Sequence, residues 1–274
     1  MIRIIKIILI GILTTAFRMA EQFILPSGAE QNILKPSIFV NNGSMPIVFI
    51  VYGILAYSII ASIYLTIEKN ISGKKMMKGL KYGIVCSLLW FTYLLEPLPH
   101  VGSSDILSYP IADSLALCFM GLLLGLFISK NTLQTRKLPS IQTMYLESIL
   151  IVLCFVIGRI IQYKYIDIYS LYNTKPITTI IWSLFTGMII AIVTLWFRSH
   201  YNNNNQLKNS LVVGTVFYGL DLFFFNFFMP IVFDTDIIDL LIRTIFDIAT
   251  VTFGVYLSNM FMKNNSIVTV KKMN

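Results

Sequence analysis

The sequence predicts an all-α integral membrane protein of eight transmembrane helices, built as two parallel-oriented four-helix repeats with both termini cytoplasmic. Three observations carry that expectation. The first is composition: the 274 residues are 56% apolar and 12% charged, with mean hydropathy +0.76. A soluble domain holds about 25% charged residues, so this chain cannot cover a water-facing surface, and an ordinary globular enzyme is excluded. The second is that basic residues alternate from loop to loop. The third is that the chain resembles itself at a nearly constant offset.

A bilayer core about 30 Å thick takes about 20 mostly apolar residues in helix. Eight segments meet that need: Ile4–Leu25, Met45–Ile67, Leu80–Leu95 and Ser108–Ser129, then Met144–Tyr165, Pro176–Phe197, Leu211–Phe233 and Ile237–Met262. Arg3 and Lys6 before an apolar run suggest a signal peptide, but Thr15-Ala16-Phe17-Arg18 lacks a small-x-small cleavage site, so a retained helix is expected. The third segment is short, and Trp90, Phe91 and Tyr93 suit an interfacial belt at its outer end. Glu96-Pro-Leu-Pro-His100 reads as a rigid outer cap, because proline fixes φ. Tyr109-Pro110 then starts the fourth helix with proline in its first turn.

Of the 21 Lys and Arg residues, 15 fall in the N-terminal segment, alternate loops and the C-terminal tail, among them Lys69 to Lys81, Lys130, Arg136 and Lys137. The intervening loops hold Lys35, Lys164 and Lys175, beside Glu96, Asp105, Asp167, Asp234, Asp236 and Asp239. Basic loops resist translocation, which puts both termini in the cytoplasm and an acidic face outside the cell membrane. The net charge of +8 is thereby explained. The lipid bilayer is the expected partner, with no nucleic acid.

The repeat is read from four collinear matches. Ile8–Arg18 aligns with Ile149–Arg159 at offset 141, and Arg18 falls on Arg159. Pro46-Ile47 matches Pro176-Ile177 at offset 130, Leu80-Lys81 matches Leu207-Lys208 at 127, and Gly125–Ser129 matches Gly254–Ser258 at 129. The units are then residues 1–130 and 131–274. Four spans per unit insert both copies the same way up, related by an axis along the membrane normal, with a central cavity between the halves.

Ionisable residues inside the spans are the candidates for function, since each costs about 2.5–3.5 kcal/mol at a helix centre. Arg18, Asp113, Arg159, Asp221, Arg243 and Asp247 converge on one outer-half layer, while Glu147 belongs to the inner half. Asp113 aligns one place from Arg243, so a pair across the axis is expected; Arg243 and Asp247 at i, i+4 are the alternative. Mixed signs suit a polar or zwitterionic ligand, with Arg18 and Arg159 for an anionic group and Asp113, Asp221 and Asp247 for a cationic one or a proton. Gly121-x-x-x-Gly125 is expected to make a local helix contact. Cys86, Cys118 and Cys154 read as small buried hydrophobes.

No protease, hydrolase or P-loop motif occurs. His100 and His200 fall on opposite faces, so neither a haem nor a zinc site is expected, and no cofactor is implied. The leading expectation is a small permease or solute-binding component. The alternative is a non-catalytic membrane subunit (a sensor, immunity factor or assembly partner) whose charges are structural, ahead of an intramembrane enzyme acting on lipid or peptide.

Overall fold

The computed structural model describes residues 2–24, 33–102, 105–132, 141–201, 203 and 205–272, and 81% of it is helical, with no strand among the described residues. Leu25, Arg136 and Lys137 lie outside the described residues. The long helical segments are α1 (Ile2–Glu21), α2 (Met45–Ile67), α3 (Lys75–Leu94) and α4 (Asp105–Phe127), followed by α5 (Ile141–Ile161), α6 (Pro176–His200), α7 (residues 206–226) and α8 (Ile237–Lys272). Six of them, α2 and α4 to α8, are long and apolar enough to cross a membrane. The 20-residue helices α1 and α3 carry more charge: Arg3, Lys6, Arg18 and Glu21 on one, Lys75, Lys78 and Lys81 on the other.

The outward faces of the helices are apolar, and polar side chains are confined to stripes among the apolar residues of the buried faces. On α1 the buried stripe includes Thr14, Thr15, Arg18 and Glu21, whereas Ile4, Ile8 and Ile12 are exposed. On α6, Thr179, Ser183, Thr186 and Thr194 are buried, and Ile177, Ile181, Met188 and Ile192 face out. The buried hydroxyls of Thr14, Thr15, Thr179 and Ser183 donate to the carbonyl four residues back, so they need no water. Water would leave such apolar outer faces unprotected; lipid does not. The chain is a multi-pass, all-helical membrane protein.

Several helix ends differ from the hydropathy reading. α3 begins at Lys75, five residues before Leu80, because lysine is a good helix former and Lys78 is fully buried against Glu68. α4 starts at Asp105, so Pro110 lies within the helix instead of in its first turn. α7 changes pitch: Gln206–Leu211 is α-helical, Val212–Gly219 is π-helical, and Leu220–Asn226 is α-helical again. Trp90 and Tyr93 do not form a headgroup belt; both are buried in the core.

Within the first half α1 packs on α2 and α4, and α3 on α4; within the second, α5 packs on α6 and α8, and α7 on α8. Across the halves α3 meets α6, and α2 meets α7. The tightest crossing is α3 on α4. Gly121 and Gly125 meet Gly79 and Gly83, a second small-x-x-x-small face that hydropathy hides among lysines; a Cβ on Gly121 would lie 2.6 Å from the Gly79 carbonyl oxygen and 2.9 Å from the Gly83 Cα. Between the halves, where the sequence matches led to the expectation of a cavity, stand ring contacts: Tyr82 with Phe217, Trp90 and Tyr93 with Phe225, and Tyr52 with Phe224.

Candidate functional site

The loop ends of the bundle differ in charge, and the buried ions follow that difference. At the lysine-rich end Lys78 Nζ donates to Glu68 at 3.0 Å and to the Lys130 carbonyl at 2.9 Å. Arg198 pairs with Glu147 at 2.6 Å and donates to Ser258 and Asn259. These clasps tie helix ends together.

At the acidic end two clusters form. In the first, Arg18, in the last turn of α1, pairs with Asp113 of α4. Glu21 lies one turn further on, buried, with neither carboxyl oxygen hydrogen-bonded. In the second, Arg159 of α5 reaches Asp247 of α8 at 2.6 Å and Glu96 at 2.9 Å. Its guanidinium also lies 5.0 Å from the Trp182 ring centre, a cation–π contact. Gln162, one turn after Arg159, donates to Asp247 at 2.8 Å. Glu96 accepts from Arg243 too, at 3.0 Å, and Arg243 continues to the Tyr169 carbonyl and, at 3.9 Å, to Asp239.

Five of the six residues singled out in the sequence thus fall into two ion-paired groups, but with different partners from those expected. Asp113 does not pair with Arg243, because α4 packs on α1 within its own half while Arg243 faces the acidic-end loop that holds Glu96. Nor does Arg243 pair with Asp247: Arg159 takes that carboxylate, and Arg243 turns back one helical turn to Asp239. Asp221, the sixth, joins neither group. It is 1% exposed, and neither of its oxygens has a hydrogen-bond partner.

Glu96 is the residue that sequence reasoning left in a loop. It sits between helix end and proline, yet it is 4% exposed and holds two arginines. The signal was there in part: two buried arginines in the second half needed more acid than Asp247 supplies. Gln162 was legible as well, since it stands at offset 141 from Glu21, as Arg159 does from Arg18.

Above the second cluster opens a cavity of about 110 Å³, walled by Arg243, Asp234, Asp236, Asp239, Tyr169 and Leu98. Loops of both halves build it: the Ser37 amide donates to Val232, Asp234 to Lys35, and Leu171 to Pro97. Asp239 caps the Tyr169 amide at 3.0 Å. Arg243 keeps its Nε without a partner. Among the described residues no group of three His, Cys, Asp or Glu side chains is set to hold a metal ion. The arrangement offers a guanidinium beside three carboxylates at the mouth of a desolvated ionic network, which suits a small solute bearing both charges. No protein family, curated protein or solved structure matches the chain.

Proposed function

We propose that this protein is a small plasma-membrane permease, or the solute-binding membrane component of one, that receives a polar or zwitterionic solute from its acidic, outer face. It has eight spans in two parallel four-helix units, with both termini cytoplasmic. Arg243 holds the solute's anionic group, and Asp234, Asp236 and Asp239 face its ammonium. The carrying observation is the cavity over Arg243. Arg18 and Arg159 serve as struts that keep α1 on α4 and α5 on α8, and Asp113 and Asp247 are their counter-ions.

The two-unit arrangement has support beyond the sequence matches. First-helix arginine to fourth-helix aspartate is the pairing in both halves, Arg18 with Asp113 and Arg159 with Asp247. Tyr52 and Trp182 correspond at offset 130, and each donates across the interface at 2.7 Å to a main-chain carbonyl of the other half's third helix, Phe224 and Thr92. Ser129 and Ser258 correspond at offset 129, and each bonds a second-helix side chain of its own half, Tyr64 and Arg198.

The test is native mass spectrometry of the gently solubilised protein beside Arg243→Gln and Asp239→Asn. The wild type is expected to retain a small molecule that both variants lose. Identical spectra for all three forms would refute the site. A second reading, a non-catalytic membrane subunit, is favoured by one observation: the aromatic packing between halves. Co-purification of a stoichiometric second membrane chain, with no small molecule, would put that reading first.

A further inference from the structure

Asp221 has no role in the solute cavity, and its surroundings are unusual for a carboxyl. It is the second residue of the helical stretch Leu220–Asn226, which directly follows the π-helical Val212–Gly219. The side chains that bear on it are Trp90, Tyr82 and Cys86 of α3 and Tyr218 of its own helix, none of them cationic. No ion pair reaches it among the described residues, and the polar hydrogen turned toward it is the indole N–H of Trp90, which stops short of a well-formed hydrogen bond with either carboxyl oxygen. A bare carboxylate in such a place is far costlier than the neutral acid.

The polar groups nearby form a file. Tyr218 precedes Asp221 by three residues on α7, Tyr93 follows Trp90 by three on α3, and the two tyrosine hydroxyls are hydrogen-bonded to each other. Arg159 and Asp247 bear on both hydroxyls. Arg159 then leads through Glu96 and Arg243 to the outer cavity. π-helical turns are rare and concentrate at functional sites; this one alters the register of α7 just before the carboxyl.

We infer that Asp221 is a proton-binding site within the membrane, loaded from the acidic end through the Tyr93–Tyr218 hydroxyl pair, and that it couples solute movement to proton movement. The coupling rests on the permease reading; the proton site does not. In the loading step one O–H bond of a hydronium at the acidic end breaks and one O–H bond forms on the Asp221 carboxylate. Each tyrosine passes its hydroxyl proton forward and takes one from behind, so both end as neutral phenols.

Infrared spectroscopy of the full chain in vesicles of phosphatidylethanolamine and phosphatidylglycerol tests this without a solute. At neutral pH the wild type is expected to show the carbonyl band of a buried protonated carboxyl, absent from Asp221→Asn, which mimics the neutral acid in shape. In heavy water that band should shift as O–H becomes O–D. The Tyr93→Phe/Tyr218→Phe variant should slow the shift about a hundredfold, the scale of a positioned proton-transfer group. The same band in wild type and Asp221→Asn overturns the inference, as does a band that never exchanges, or one that exchanges equally fast without the tyrosines. Exchange through the tyrosines in a protein that retains no solute would keep the proton site and remove only the coupling.

Discussion

At the scale of single residues, the charged layer at the acidic end is organised by what each buried charge would lose alone. Arg159 satisfies two carboxylates at once, so Arg159→Gln strands Asp247 and leaves Glu96 to Arg243. Removing one partner of a buried pair costs about 3–5 kcal/mol. The variant should therefore melt well below the wild type in detergent-based scanning fluorimetry. Adding Asp247→Asn should recover part of the loss, because the stranded charge is gone. A double variant less stable than Arg159→Gln alone would show that the pair is not what holds α5 on α8. The existence of this layer was legible from the arginines and aspartates in apolar runs. The partners were not, since Glu96 reads as an ordinary loop acid until the chain brings it under Arg243.

At the scale of helices, glycine decides the closest approach. Gly79 and Gly83 of α3 lie against Gly121 and Gly125 of α4 so tightly that a side chain at Gly121 meets main chain. Overpacking a well-filled site costs about 1–3 kcal/mol, and here the obstruction is backbone, which cannot swing aside. Gly121→Leu should thus lower the folded yield more than Gly43→Leu, even though Gly43 has positive φ, because nothing lies within 4 Å of it. Monodispersity on size exclusion is the measure, and equal profiles for the two variants would argue against a packing role. One half of this contact was visible as Gly121-x-x-x-Gly125; its partner was masked by Lys78 and Lys81, which lower local hydropathy without preventing a helix. The π-helical run in α7, which packs on α8 and α6, left no signal in the sequence.

At the scale of the molecule, the loops at the two ends carry opposite charge, and the helices between them are apolar outside. An impermeant maleimide applied to intact cells tests the arrangement, in a background where Cys86, Cys118 and Cys154 are replaced by alanine. Asp236→Cys and Asn42→Cys, both at exposed acidic-end positions, should label; Lys74→Cys, exposed at the lysine-rich end, should label only after the cells are permeabilised. Labelling of Lys74→Cys in intact cells would reverse the orientation. Labelling of all three would break the eight-span count, because α2, which joins Asn42 to Lys74, would then fail to cross.

By itself the sequence determined that the chain is helical, multi-pass and lodged in lipid, and which of its residues are too polar for their surroundings. Those properties are sums over local windows of about 20 residues, so they survive ignorance of the fold. It could not determine who pairs with whom. Each residue along a helix turns the side chain by about 100°, and partners such as Arg159 and Glu96 are brought together by helix rotation and depth, which no local window records. Only the tertiary structure decided that Arg18 is engaged within its own half while Arg159 reaches both Asp247 and, in the other half, Glu96, that aromatic rings stand between those halves, and that the cavity lies above Arg243 with Asp221 left without an ion pair below it.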